Sequence, residues 1–307
     1  MFLLLIRKEL HEHLLSLRFA MACIICLAVM LSSIFMLAKD FEEALADYHT
    51  SVVLHSDEID QQDLVWNGIN IDKPLNPLQI FVRGVEEAFS ATAKVTAYSE
   101  PQLEVDYEVN PVISLYPTID LLYFVGVVMS LLAIAFSYEA VSGEKELGTL
   151  KLLMSYSVPR DTVVLAKWVG GYLALIAPLL LSFLGGLVVL QLFPTIELKA
   201  AHGLALALIL VGSLLYVAAI HSLGIFVSAR NHLASTSITV LLTVWVLLVF
   251  IVPNVAPYIA ARVHWVRDFV LVDKEKRQID IALEEGFNLD WAQWMEQNPD
   301  TSQITRG

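Results

Sequence analysis

Gly143-Glu-Lys-Glu-Leu-Gly148-Thr149 carries half of a phosphate-binding loop, two glycines separated by four residues. A nucleotide loop needs Lys and then Ser or Thr directly after the second glycine, because lysine neutralises the β/γ-phosphates and the hydroxyl binds Mg²⁺. Here Thr149 and Leu150 follow Gly148, and an apolar run rather than a strand precedes Gly143, so the chain has no reason to hydrolyse ATP by itself. His11-Glu12-His13 approaches a zinc-protease motif, but His-Glu-x-x-His needs a histidine where Leu15 stands. Cys23 and Cys26 are the only cysteines and lie inside an apolar run without His or Cys partners, which makes them packing residues before a metal pair or a disulfide. Met21, Met30 and Met36 do not combine with His49 or His55 into a copper ligand set, so no metal site is expected. His221 falls within an apolar run, and an ionisable group in lipid is a candidate polar site, its alternative being a hydrogen bond to a neighbour. No paired carboxylate or nucleophile–base set stands among the membrane or inner residues, which argues against an enzyme.

The charged segment around those glycines is the most informative part of the chain. Glu139 ends one apolar run, Glu144, Lys145 and Glu146 follow, Gly148 permits a break, and Thr149 can cap a short helix that Pro159 stops. Arg160 and Lys167 then lead into the next apolar run. The expected product is a short helix along the membrane surface, tied to two crossings and suited to docking another protein; an ordinary solvated loop is the plain alternative.

The elements that hold this segment are membrane helices. Hydrophobic residues make up 57% of the 307 positions and charged residues 17%, against roughly 45–50% and 25% in a soluble chain. Residues 17–38, 118–138, 169–192, 203–227 and 236–256 are each long enough to cross about 30 Å of hydrocarbon. Runs of this length without alternation exclude barrel strands. The fold class is therefore an all-α polytopic membrane protein with five transmembrane helices and a mixed α/β extracytoplasmic insert. The first run exceeds the h-region of a signal peptide and is followed by Lys39-Asp40-Phe41, so it is expected to be retained. Arg7, Lys8 and Arg18 flank the first run, Lys145, Lys151, Arg160 and Lys167 lie between the second and third, and Arg230 lies between the fourth and fifth, whereas the loop near Pro194 has only Lys199. That bias places the amino terminus in the cytoplasm and residues 139–168 on the same side.

Residues 1–16 read as a cytoplasmic amphipathic interfacial helix with Leu3, Ile6, Leu10, Leu14 and Leu15 on its apolar side. Residues 39–117 form the insert: Pro-punctuated, acidic, with helical spacing across 78–93 and alternation across 103–109 that predicts a strand. Substrate handling, partner contact and a solvated spacer all remain open for it. Residues 257–307 form a second extracytoplasmic segment, with a helix expected over 268–286. The net charge of −13 resides mainly in these two segments, and nothing resembles a basic nucleic-acid footprint.

Glu144-Lys-Glu-Leu-Gly-Thr-Leu150, followed by Ser157-Val-Pro-Arg160 and Lys167-Trp-Val-Gly170, resembles the region between the second and third helices of type-2 ABC exporter permeases. The nearest likeness is to the branch named for multi-copper enzyme maturation, the nitrous-oxide-reductase accessory permeases. Ile6-Arg-Lys-Glu-Leu10 and Val252-Pro-Asn-Val-Ala-Pro257 extend the likeness over about residues 1–260. The resemblance implies six membrane helices per permease, two permeases per transporter and two separate cytoplasmic ATPase subunits that carry ATP and Mg²⁺. This chain shows five such helices, so the sixth is expected beyond Gly307. Carried onto this chain, the ATPase-coupling surface is Glu139, Glu144, Glu146, Gly148 and Thr149, bracketed by Pro159, Arg160 and Lys167. The expected function is the permease subunit of an ATP-driven exporter in the bacterial plasma membrane, without a cofactor of its own. A membrane-anchored sensor or scaffold is the rival.

Overall fold

The computed structural model describes residues 2–61, 68–84, 92–96, 102–104, 119–155, 159–263 and 269–297. Helix α1 (Phe2–Leu14) breaks at a Ser16 turn, where the Ser16 hydroxyl donates to the His13 carbonyl and accepts the Phe19 amide. Helix α2 (Leu17–Gln61) then runs without interruption for 45 residues, about 68 Å at 1.5 Å per residue and more than twice the hydrocarbon thickness. One stripe of it is buried at helical spacing: Ala22, Cys26, Met30, Ile34, Leu37, Ala38 and Phe41. Cys26 Sγ packs 3.7 Å from Met129 Sδ and both cysteines are free, as expected of small apolar residues.

A three-stranded antiparallel sheet follows, β1 (Ile69–Asp72), β2 (Thr92–Val95) and β3 (Gln102–Glu104), in that spatial order. Ile69 pairs with Val95, and Thr92 with Glu104. Asp72 ties the sheet to α2 and β2 at once, accepting from Thr92 Oγ1 at 2.9 Å and pairing with His55 Nδ1 at 2.7 Å. Of the helix expected across 78–93, the described residues 78–84 and 92–93 are not α-helical. Pro77–Ile80 form a single 3-10 turn capped by Asn76, and Thr92–Val95 are strand. Ile80 and Phe81 are buried because the turn docks on the helix bundle, with Phe81 5.7 Å from the Phe183 ring. Residues 85–91 and 105–109, the rest of the expected helix and strand, lie outside the described residues.

Helix α3 opens at Leu121–Tyr123, passes through a π segment (Phe124–Met129) and continues as Ser130–Ser137. Asp120 caps it, accepting the Tyr123 amide at 2.8 Å. The π segment shifts carbonyls out of register, and side chains take them up: Ser130 Oγ donates to Val127 O at 3.0 Å, and Tyr216 hydroxyl to Gly126 O at 3.3 Å. Two short helices, α4 (Ser142–Glu146) and α5 (Thr149–Ser155), precede α6 (Arg160–Leu190), α7 (Ala200–Arg230) and α8. Helix α8 comprises Ala234–Val246, a π segment (Leu247–Ile251) and Val252–Val263. Five of these helices are long and apolar enough to cross a membrane: Leu17–Asp57, Leu121–Glu146, Arg160–Leu190, Ala200–Arg230 and Ala234–Val263. The chain is a multi-pass, predominantly helical membrane protein with a small mixed insert.

By compactness it divides into residues 1–249 and 250–307. The second unit holds the last part of α8 and α9 (Phe269–Gln297), on which Phe287, Trp291 and Trp294 stack in succession. Helix α9 runs past the expected end at residue 286, since one glycine costs a helix only about 1 kcal/mol.

Candidate functional site

Helix α1 turns a mixed face inward. Phe2, Leu5, Ile6, Glu9, Leu10 and His13 are buried or half-buried at i, i+3 and i+4 spacing, whereas Leu3, Leu4, Leu14 and Leu15 point outward. Of the expected apolar side, Leu3, Leu14 and Leu15 are exposed while Ile6 and Leu10 turn inward with Glu9. The reason is a cation on α6. Lys167 is 4% exposed, and its ammonium donates to Glu9 Oε1 at 3.0 Å and to Glu144 Oε1 at 2.7 Å. A buried ammonium is tolerable only when paired and hydrogen-bonded, so Lys167 draws one carboxylate from α1 and another from α4. Gly170, one turn further along α6, lets α1 approach: a Cβ there would lie 2.7 Å from Glu9 Cβ.

Helix α4 is fixed by the ends of two other helices. Ser228 of α7 is fully buried, and its hydroxyl accepts the amides of Val141 and Ser142 at 3.0 Å each, occupying donors at the start of α4 that have no intrahelical partner. Lys145 Nζ donates to the carbonyls of Ala229 and Asn231 at the carboxyl end of α7, where the helix dipole favours a cation. Glu146 Oε2 accepts the Ala234 amide at 3.1 Å, where α8 begins and the dipole favours an anion. Three consecutive charged residues thus each close a different contact, to α6, α7 and α8.

Glu139 pairs with Arg18 at the start of α2, and the Arg18 guanidinium also lies 5.4 Å from the Tyr138 ring centroid. Glu9, Glu12, Glu139, Glu144, Arg18 and Lys167 line a cleft of about 610 Å³. His13 lies in its wall, stacked on Phe136 with centroids 5.5 Å apart. Burial, and secondarily the Lys167 charge, hold its imidazole below the usual value near 6.5.

Beyond α4 the loop turns outward. Gly148 has φ of +74°, a conformation that side-chain-bearing residues adopt only at a cost. Glu146, Leu147, Gly148 and Thr149 are exposed, Leu147 at 80%. Thr149, expected as a cap, lies in the first turn of α5, and its hydroxyl donates to Glu144 O at 3.3 Å. Pro159 and Arg160 begin α6 and are exposed, apart from the cleft. The structure thus gathers Glu139, Glu144 and Lys167 into the cleft, sets Glu146, Gly148 and Thr149 on the adjoining surface, and leaves Pro159 and Arg160 at the far side of α5. His221 does not line the cleft. It is fully buried on α7, with Nε2 donating to Trp168 O at 3.2 Å and the rings of Trp168 and Tyr172 about it, a joint between α6 and α7. Among the described residues no group of three His, Cys, Asp or Glu side chains is arranged to hold a metal.

Residues 3–275 match the family described as ABC-2 family transporter protein. The chain belongs to the ABC-2 transporter family. Over 70 residues this ABC-2 chain is also 39% identical to a probable ABC transporter permease protein, NosY, of Pseudomonas aeruginosa. That stretch covers 22% of the ABC-2 chain and 26% of the relative.

Glu9, Arg18, His13 and Ser228 were not among the expected site residues. Glu9 and Lys167 are 158 positions apart, and Ser228 is 87 from Val141. Within the ABC-2 chain one local signal was available for Glu9: it occupies the same face of α1 as Ile6 and Leu10, an acid placed where burial is expected.

Proposed function

We propose that this chain is the permease subunit of an ATP-driven exporter in a bacterial inner membrane, with its amino terminus in the cytoplasm and residues 139–168 docking a separate ATPase. ATP and Mg²⁺ belong to that ATPase, this chain binds no cofactor, and a second permease, identical or different, completes the transporter. Family membership supports the permease reading.

The observation that carries the mechanism is Lys167, buried between Glu9 and Glu144. A push on the exposed Leu147–Thr149 surface reaches α4, and α4 is bonded to α1 and α6 through Lys167, to α7 through Ser228 and Lys145, and to α8 through Glu146. Displacement of the loop therefore moves four helices together instead of deforming a slack linker. ATP binding can drive such a motion only if the ATPase contacts the loop differently in its two states.

Co-purification in detergent with a cytoplasmic ABC ATPase tests the reading. A stable complex whose ATP turnover depends on the permease supports it. Failure to bind any ATPase moves the assignment to a membrane-anchored sensor or scaffold.

A further inference from the structure

Helix α3 is pinned at its two ends to different parts of the chain. At its start the Leu121 amide donates to the Phe81 carbonyl at 2.9 Å, and the Arg83 amide to Asp120 Oδ2 at 3.3 Å, which binds it to the turn of the insert. At its end α7 closes on it: a Cβ on Gly224 would fall 1.7 Å from Ser137 Oγ, and Ser228 holds the Val141 and Ser142 amides just beyond. Movement of one anchor against the other must be taken up between them. The π segment Phe124–Met129 occupies that interval. A π turn interrupts the regular hydrogen-bond ladder, and sharp bends in helices concentrate at such turns. A Cβ on Gly126 would meet no atom of the described residues within 4 Å, so the segment has room to bend. Side chains hold it in place. The Gly126 carbonyl accepts from the Tyr216 hydroxyl of α7 at 3.3 Å, and Ser130 Oγ donates back to Val127 O at 3.0 Å while accepting Trp245 Nε1 of α8 at 2.7 Å. Ser130 is fully buried, so water does not stand in for a lost partner. Helix α8 enters its own π segment, Leu247–Ile251, two residues after Trp245, so this bond joins two crossings beside the points where each departs from α geometry.

We propose that the π segment of α3 is a hinge between the two halves of that helix, and that the Trp245–Ser130 hydrogen bond is its latch. This goes beyond the permease reading, and its test needs no ATPase. With the bond made, the two halves keep the positions described above. With it broken, the carboxyl-terminal half, which carries α4, swings against the amino-terminal half, which stays with the turn at Phe81. A few residues absorb the change in backbone angles, as hinges generally require.

The test uses the full-length chain in nanodiscs, with Cys23 and Cys26 replaced by alanine and spin labels at the exposed positions Leu122 and Phe226. The labels measure the amino-terminal half of α3 against α7. The otherwise unaltered chain should give one dominant distance. Trp245→Phe, which keeps a ring and loses the N–H, and Ser130→Ala should each add a second distance. In both, amides 127–131 should exchange about fivefold faster, as expected for one lost hydrogen bond, while amides 133–137 keep their rates. Gly126→Ala added to Trp245→Phe should suppress the second distance and slow that exchange about threefold, because alanine is the better helix former and nothing described blocks its methyl. A single unchanged distance with unchanged exchange in both latch variants overturns the hinge and leaves the permease reading standing. Faster exchange spread evenly over residues 121–137 means that the helix loosens as a whole, and overturns it equally.

Discussion

Replacing Lys167 by methionine removes the cation and keeps most of the side-chain length. Glu9, whose side chain is 9% exposed, and Glu144 then lose their buried cation, and only the half-exposed Lys8, 3.9 Å from Glu9, is left beside them. Breaking a buried ion pair from one side costs about 3–5 kcal/mol, because the remaining charge stays desolvated. Proton uptake sets a ceiling: neutralising a carboxylate of ordinary acidity at pH 7 costs about 3.7 kcal/mol, at about 1.4 kcal/mol per pH unit. The expected loss is therefore about 3–4 kcal/mol, or roughly 6 °C or more in the thermal midpoint. Thermal unfolding in detergent reads the midpoint, and amide exchange across α1 shows whether α1 is released first. The triple variant Glu9→Gln, Glu144→Gln, Lys167→Met should recover most of the loss, since no bare charge remains. A single variant within about 1 kcal/mol of wild type, or a triple variant no better than the single, would refute the view that Lys167 is held as a paired buried cation.

Ser228→Ala leaves the Val141 and Ser142 amides without their acceptor and should cost about 1–3 kcal/mol, seen as faster exchange at those two amides while α7 stays protected. Gly170→Ala brings a Cβ to 2.7 Å from Glu9 Cβ and 3.3 Å from Leu10 N, so α1 must shift. A loss of about 1–3 kcal/mol is expected, and an engineered disulfide between α1 and α6 should form more slowly. His13 binds its proton more weakly with α1 docked than free, so docking is fully present above about pH 6.5 and declines as pH falls below that value. The protection of α1 amides, taken relative to their intrinsic exchange rate at each pH, should fall from pH 7.5 to pH 5 in wild type, and His13→Gln should flatten that dependence.

Much of the membrane architecture is legible from hydropathy alone, because a bilayer demands long apolar runs and leaves few alternatives. Gly148 as a break is legible too, as a glycine between charged residues and a new helical run. The insert is less so. Ile80, Val85 and Phe89 have helical spacing, yet Ile80 is buried by a 3-10 turn docked against the bundle, and Thr92–Val95 become a strand because β1 supplies a partner more than 20 residues away. Tertiary pairing there overrides local periodicity.

The candidate site divides in the same way. The family resemblance directs attention to Glu139, Glu144, Glu146 and Lys167, and residue type says that each is charged. That Lys145 closes α7, that Glu146 closes the start of α8 and that Ser228 closes the start of α4 depends on where helix ends meet in three dimensions. Window-based reading cannot pair positions 87 or 158 apart. The acid on the packed face of α1 is the one local irregularity that pointed to a buried cation.

The most direct test compares ATP turnover and transport by the reconstituted permease–ATPase complex for wild type and Glu146→Ala/Thr149→Ala. The expected result is a complex that still inserts and assembles but whose ATP turnover no longer drives transport. Unchanged coupling in that double variant would contradict the assignment of residues 139–168 as the surface through which the ATPase moves the helices.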